Sequence, residues 1–227
     1  MNYIVINLAM KGGNYLTTRN SKEVRKEIYI LFSNLLDKPT KSIYSELKKE
    51  AHLELWQNTN KNNQAINSIP ETWQAENIPD LAEWKKMWKE NLGFVEPKIK
   101  AIESVYKPWT IDESCEMPFA KEEGFIMGDW AHHMLHLYDM LGFKLPDKFS
   151  YCPDHLLLEL EFMSLLVETV NFKQQQQFIN QHLDWLEKLI STAKKKEVAK
   201  IYLDLFDWIK DFIESEQAFL AKKIKNN

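Results

Sequence analysis

Residues 156–167 read LLLELEFMSLLV, and a helix drawn through them is apolar on more than one face. Leu156, Leu160, Met163 and Val167 form one stripe, while Leu158, Phe162 and Leu165 form another. A helix apolar nearly all round is stable only when other elements enclose it, so the remainder of the chain must supply those elements. That single requirement excludes folds too small to have a centre. With 227 residues, a chain of this size buries about 70% of the surface it exposes when unfolded.

Helical periodicity elsewhere provides the enclosing elements. Ser21 can cap a first helix with Val24, Ile28, Leu31, Phe32 and Leu35 on one face. Thr40 opens a second, carrying Ile43, Leu47, Ala51 and Leu55. Asp80 can cap a third, with Leu81, Trp84, Trp88 and Leu92 inward and Gly93 closing it. A fourth runs from about Gly128 to Gly142, and Pro153-Asp154 begins the fifth, central helix. A sixth carries Ile179, Leu183, Leu186, Leu189 and Ile190, and a last one spans residues 197–221. Six glycines and eight prolines are too few for the tight turns of an all-β fold. The pattern predicts an all-α, bundle-like single domain of about seven helices over residues 21–227, behind an N-terminal extension, residues 1–20. Residues 58–67, rich in Asn, read as a loop. Residues 95–124 break the pattern at Pro97, Pro108 and Pro118, a length that is functional, a linker, or a hinge.

Charge narrows the partners. A formal net charge of −4, with only Arg19 and Arg25 among the 29 basic residues, argues against a nucleic-acid surface. Cys115 and Cys152 do not make a disulfide framework, so a reducing compartment is expected. The start lacks a basic segment and a small-residue cleavage site, and no stretch reaches the length of a membrane span. A soluble, cytoplasmic protein without an integral membrane segment is the expectation.

The chemistry-bearing residues gather around the central helix. His155 and Glu159 stand at i and i+4 on a helix otherwise committed to the core. Buried polar groups need partners, so either they tie this helix to residues 95–124 or they line a groove. Between Asp112 and Asp129, the acids Asp112, Glu113, Glu116, Glu122, Glu123 and Asp129 face one base, Lys121. Such a run is ordinarily a solvated loop, and it is also what a guanidinium-bearing ligand requires. Trp84 and Trp88 fit core positions or an apolar groove, while Trp109 on its Pro-bounded loop is expected to be accessible. His132, His133 and His136 form an HHxxH run in which His132 and His136 could chelate a metal with Cys115, Cys152 or His155. The zincin pattern needs a Glu where His133 stands, and no phosphate loop, nucleophile elbow or dinucleotide fingerprint occurs. Cys152 at a helix start could have a lowered pKa.

The run Pro153-Asp154-His155-Leu156, with Glu159-Leu160 and Phe162-Met163, resembles the signature of the TorD/DmsD/NarJ chaperones, the maturation proteins of molybdenum-cofactor oxidoreductases. Glu103-Ser104-Val105-Tyr106 followed by Pro108-Trp109 is similar to that family's Glu-Ser-x-Tyr element. His182-Leu183 with Trp185 resembles its His-Leu-x-x-Trp pattern, one residue shorter here. Pro153 and Asp154 are adjacent where many members carry an intervening residue, and Cys152 stands where a Glu is often seen.

The resemblance implies an all-helical chaperone without catalytic turnover and without a cofactor or metal of its own. Its partner would be the N-terminal leader of a molybdopterin oxidoreductase catalytic subunit, typically a twin-arginine signal peptide. The chaperone would hold that leader until the cofactor is inserted, before export. An assembly chaperone of the nitrate-reductase branch, whose client lacks the Arg pair, is the alternative. A metal-dependent enzyme built on His132 and His136 is the reading from a different class. The resemblance places Asp154, His155, Glu103 and Tyr106 at or near the peptide-binding region. Trp109, Glu159, Trp84 and Trp88 complete the expected peptide-binding set. A monomer or a helix-swapped homodimer, hinged at residues 95–124, is expected.

Overall fold

The computed structural model describes residues 21–49 and 69–226. Among them lie eight α-helices: α1 (Ser21–Leu36), α2 (Lys41–Lys48), α3 (Leu81–Asn91), α4 (Asp129–Met140), α5 (Leu156–Thr169), α6 (Phe172–His182), α7 (Leu186–Lys195) and α8 (Lys200–Lys225). Short 3-10 turns occupy Glu71–Trp73, Glu103–Val105 and Asp147–Phe149. The described residues contain no β-strand, only an isolated antiparallel bridge between Ile102 and His155. The fold is all-α, as the periodicity requires. Residues 1–20, the Asn-rich stretch, Trp56, and the continuation of the second helix through Ala51 and Leu55 lie outside the described residues.

α5 is the enclosed helix. Leu156, Leu158, Leu160, Phe162 and Met163 are fully buried, so both apolar stripes find neighbours. α1 lies along it, and α8 closes the body against α6, α7 and α1. Phe32 of α1 meets Trp208 and Phe212 of α8 edge-on, at 5.0 and 5.6 Å between ring centres. Burial at about 25 cal/mol per Å² of apolar surface is the main stabilising contribution at such contacts. The α1–α8 contact also holds a buried ion pair. Arg25 Nε donates to both oxygens of Glu216, at 2.9 and 2.8 Å, and Arg25 Nη2 donates to Gln175 of α6 at 2.7 Å.

The caps form largely as the side chains dictate. Thr40 Oγ1 accepts from Ile43 N–H, and Asp80 Oδ1 accepts from both Ala82 and Glu83 N–H. Three boundaries differ from the periodic reading. α5 starts at Leu156 because His155, not Asp154, is its cap: His155 Nδ1 accepts from Leu157 N–H at 3.2 Å. The single helix expected through Ile179 and Ile190 is two, α6 and α7. The chain turns at residues 183–185, where the Trp185 indole takes the His182 carbonyl at 2.8 Å that a continuing helix would have used. α8 starts at Lys200, since Glu197 sits at φ 50° in the left-handed region.

Candidate functional site

The irregular segment is stitched onto the start of α5. Leu156 N–H donates to Ala101 O, and Glu103 N–H donates to Asp154 O, both at 2.9 Å. Asp154 Oδ2 accepts from Ser104 N–H at 2.7 Å. Of the two roles open to these polar residues, Asp154 therefore ties the helix to the segment. Burial raises its pKa, and the bonds from Ser104 oppose that rise.

Behind Asp154 lies a buried polar network. Glu103 Oε1 takes a 2.7 Å bond from Lys107 Nζ, one turn along the chain, and Glu103 Oε2 stands 2.8 Å from His182 Nδ1. The other ring nitrogen of His182 stands 2.8 Å from His133 Nδ1 on α4. Lys107 Nζ also bonds Gln181 O at 2.7 Å, pairs with Asp184 at 2.5 Å and sits 3.9 Å from the Trp130 ring centre. Glu159 of α5 is fully buried; no donor group among the described residues reaches its carboxylate oxygens, and its side-chain partner is the Glu103 carboxylate, with which it can share a proton. Burial, with Glu103 and Asp154 nearby, holds its pKa well above the ordinary carboxylate value. Burial and then the neighbouring His182 lower that of His133.

Of the eight residues expected to bind a peptide, six are buried: Asp154, Glu103, Glu159, Tyr106, Trp84 and Trp88. Tyr106 stacks on Trp185 at 5.2 Å. Trp84 packs on Trp73 at 5.7 Å, and the Trp88 indole donates to Leu36 O at 2.9 Å. Both tryptophans are thus core residues of α3 rather than walls of an open groove. His155 and Trp109 are half-buried. His155 lies 5.3 Å from the Phe149 ring and 6.5 Å from that of Phe94, and burial takes its pKa down to about 4.

Two other expectations are corrected. The Cys152 thiol is pushed up to about 11, first by burial and then by Asp154, so the helix start does not activate it. His132 and His136 are exposed, and they join no group of three or more metal-capable side chains among the described residues. The group that does form is Glu103, Glu159 and His182. Lys107, His133 and His182 are absent from the expected set. A signal existed for His182, in the His-Leu-x-Trp run, and for Lys107, at i+4 from Glu103.

The accessible chemistry lies further along the segment, around Trp109. Trp109 N–H donates to Glu122 O at 3.0 Å and Thr110 N–H to Ala120 O at 2.9 Å, closing residues 109–122 into a loop. Thr110 Oγ1 donates to Asp129 Oδ2 at 2.6 Å, anchoring the loop to α4. The loop displays Ile111 and Met117, and Phe125 and Ile126 follow it, each at least 40% exposed. Among them stand the exposed acids Asp112, Glu113, Glu116, Glu122 and Glu123. Glu123 pairs with Lys188 at 2.5 Å. The Trp109 ring meets Phe119, and Phe119 meets Phe125, at 5.1 and 5.2 Å, so the aromatic floor of this surface is continuous.

No curated protein matches this sequence. A solved structure described as a redox enzyme maturation protein from Archaeoglobus fulgidus is similar at 16% identity, over 93% of this chain and 99% of that one, with a TM-score of 0.49. Residues 92–191 match the family described as the nitrate reductase delta subunit. That stretch contains the Glu103–Tyr106 element, the Pro153–Met163 signature and the His182–Trp185 echo, so the part of the chain that is similar to this family is the part that carries the motifs.

Proposed function

We propose that this chain is a cytoplasmic maturation chaperone that binds the N-terminal leader of a molybdopterin oxidoreductase catalytic subunit and holds it until the cofactor is in place. The observation that carries the reading is the exposed surface at residues 109–126, where apolar and acidic side chains alternate on a loop anchored to the buried signature. A twin-arginine leader presents adjacent guanidinium forks followed by an apolar stretch. Carboxylates beside exposed Ile, Met and Phe side chains complement both parts. Among the described residues, Glu113, Glu116 and Glu122 form no ion pair that a guanidinium would have to displace. In this reading Asp154, Glu103 and Glu159 do not touch the leader; they set the position of the loop that does.

Calorimetric titration with a synthetic Arg-Arg leader and a Lys-Lys control, at low and high salt, tests it. Arginine-dependent binding that weakens with salt is expected, with a Kd raised about tenfold or more in the Glu113→Gln/Glu116→Gln/Glu122→Gln variant. Unchanged affinity in that folded variant removes the surface from the reading. The family description, nitrate reductase delta subunit, favours a second client type, an N-terminus without an Arg pair. Equal binding of both peptides would select it.

A further inference from the structure

We propose that Glu103, Glu159 and His182 form a structural site for one divalent first-row metal ion, zinc by its donor set, at the junction of the 103–105 turn, α5 and α6. One carboxylate oxygen from each glutamate and one imidazole nitrogen lie within 4.8 Å of one another, and all three side chains are fully buried. Glu103 Oε2 and His182 Nδ1 stand 2.8 Å apart, and an ion between them would open that hydrogen bond by about 0.5–0.8 Å to reach the separation of two donors held about 2.0–2.2 Å from a tetrahedral zinc. Imidazole with two carboxylates suits zinc, and suits manganese or iron(II) less specifically. This site is distinct from the exposed His132 and His136 and does not rest on the leader reading.

Glu159 supplies the independent observation. Its carboxylate is enclosed in the first turn of the central helix, and both of its oxygens lack a hydrogen-bond donor. An unpaired buried carboxylate is among the costliest groups a core can hold, and it persists where something else completes it. The charges agree. Glu103, Glu159 and Asp154 are buried together, with Lys107 the buried cation beside them. With all three ionised, two negative charges remain, the charge a divalent ion neutralises. Glu103 is also divided in the way such a site needs, Oε1 turned to Lys107 and Oε2 to His182.

The surroundings of His182 fit a ligand. Metal-bound histidines ordinarily direct the second ring nitrogen at a hydrogen-bond partner that fixes the tautomer. His182 Nε2 stands 2.8 Å from His133 Nδ1, so with Nδ1 on the ion the Nε2–H donates to a neutral His133. The site is closed on all sides by protein, which makes it structural: it would couple metal binding to folding and lock the signature helix to the Glu-Ser-x-Tyr turn.

The test refolds the full chain from guanidinium with a chelator, then again with zinc chloride alone. About one zinc per chain retained through gel filtration is expected, with the melting midpoint raised by several degrees. Cobalt(II) in place of zinc should give visible absorption bands of a nitrogen–oxygen site. Glu159→Gln and His182→Phe should lose the metal, while His132→Ala/His136→Ala keeps it. Should the first two variants fail to fold, wild-type stoichiometry and an X-ray absorption spectrum with one imidazole in the shell decide. A helical wild-type chain that stays zinc-free with an unmoved midpoint overturns the site and assigns the carboxylates to a shared proton. Metal lost from His132→Ala/His136→Ala but kept by Glu159→Gln overturns it equally.

Discussion

His155 shows how one side chain can stand in a signature-like run of sequence and be occupied with holding the fold. Its Nδ1 caps α5, and its ring is wedged between Phe149 and Phe94. A cap that accepts through Nδ1 must be unprotonated there, and burial depresses its pKa to about 4. Between that value and the unfolded imidazole value near 6.5, the unfolded chain binds the proton and the folded one does not. The stability due to this group is therefore complete above about pH 6.5, drains as pH falls toward 4, and changes no further below. A loss on the order of 1–3 kcal/mol is expected across that window. Urea midpoints at about pH 7.5 and about pH 5 should differ less in His155→Asn, which keeps a capping acceptor but does not titrate. Equal differences in both proteins would remove His155 as the source.

At the scale of elements, the segment between α3 and α4 carries the candidate surface, and its geometry depends on one glycine. Gly128 stands at the start of α4 against the carbonyl of Trp109, and a Cβ there would lie 2.3 Å from that oxygen. Gly128→Ala must push the 109–122 loop aside, at a cost of about 1–3 kcal/mol. Urea denaturation and Trp fluorescence would report it; an unshifted midpoint would mean that the loop yields freely. Elements with their own local chemistry were legible in advance. Thr40 and Asp80 cap where their side chains say they should, and α5 is central because both of its stripes are apolar. The division of α6 from α7 was not legible, because Ile179, Leu183, Leu186 and Ile190 keep helical spacing straight through a turn marked by neither Gly nor Pro. The burial of Asp154 and Glu159 was equally hidden. A carboxylate on a groove wall and one in a core have the same sequence neighbours, and Ser104, Lys107 and His182, which decide the matter, come from other elements.

For the molecule as a whole, the ion pair of Arg25 and Glu216 joins the first described helix to the last. Arg25 sits over the Phe219 ring at 4.9 Å and also holds Gln175, so three helices meet at one guanidinium. Arg25→Ala leaves Glu216 buried without its cation and should cost roughly 3–5 kcal/mol, while Arg25→Met with Glu216→Leu should recover most of it. Chemical denaturation of the three proteins checks this, and a near-neutral single variant would show that water already reaches Glu216. The pair spans 191 positions of sequence. Closing so long a loop precedes any return from the contact, so this pair forms late although the helices themselves rest on local contacts. During synthesis, α1 and α5 must then wait with their apolar faces uncovered until α8 has left the ribosome. A chain truncated before Glu216 should be recognised by proteases as unfinished, and the body closes only once its own last helix is made.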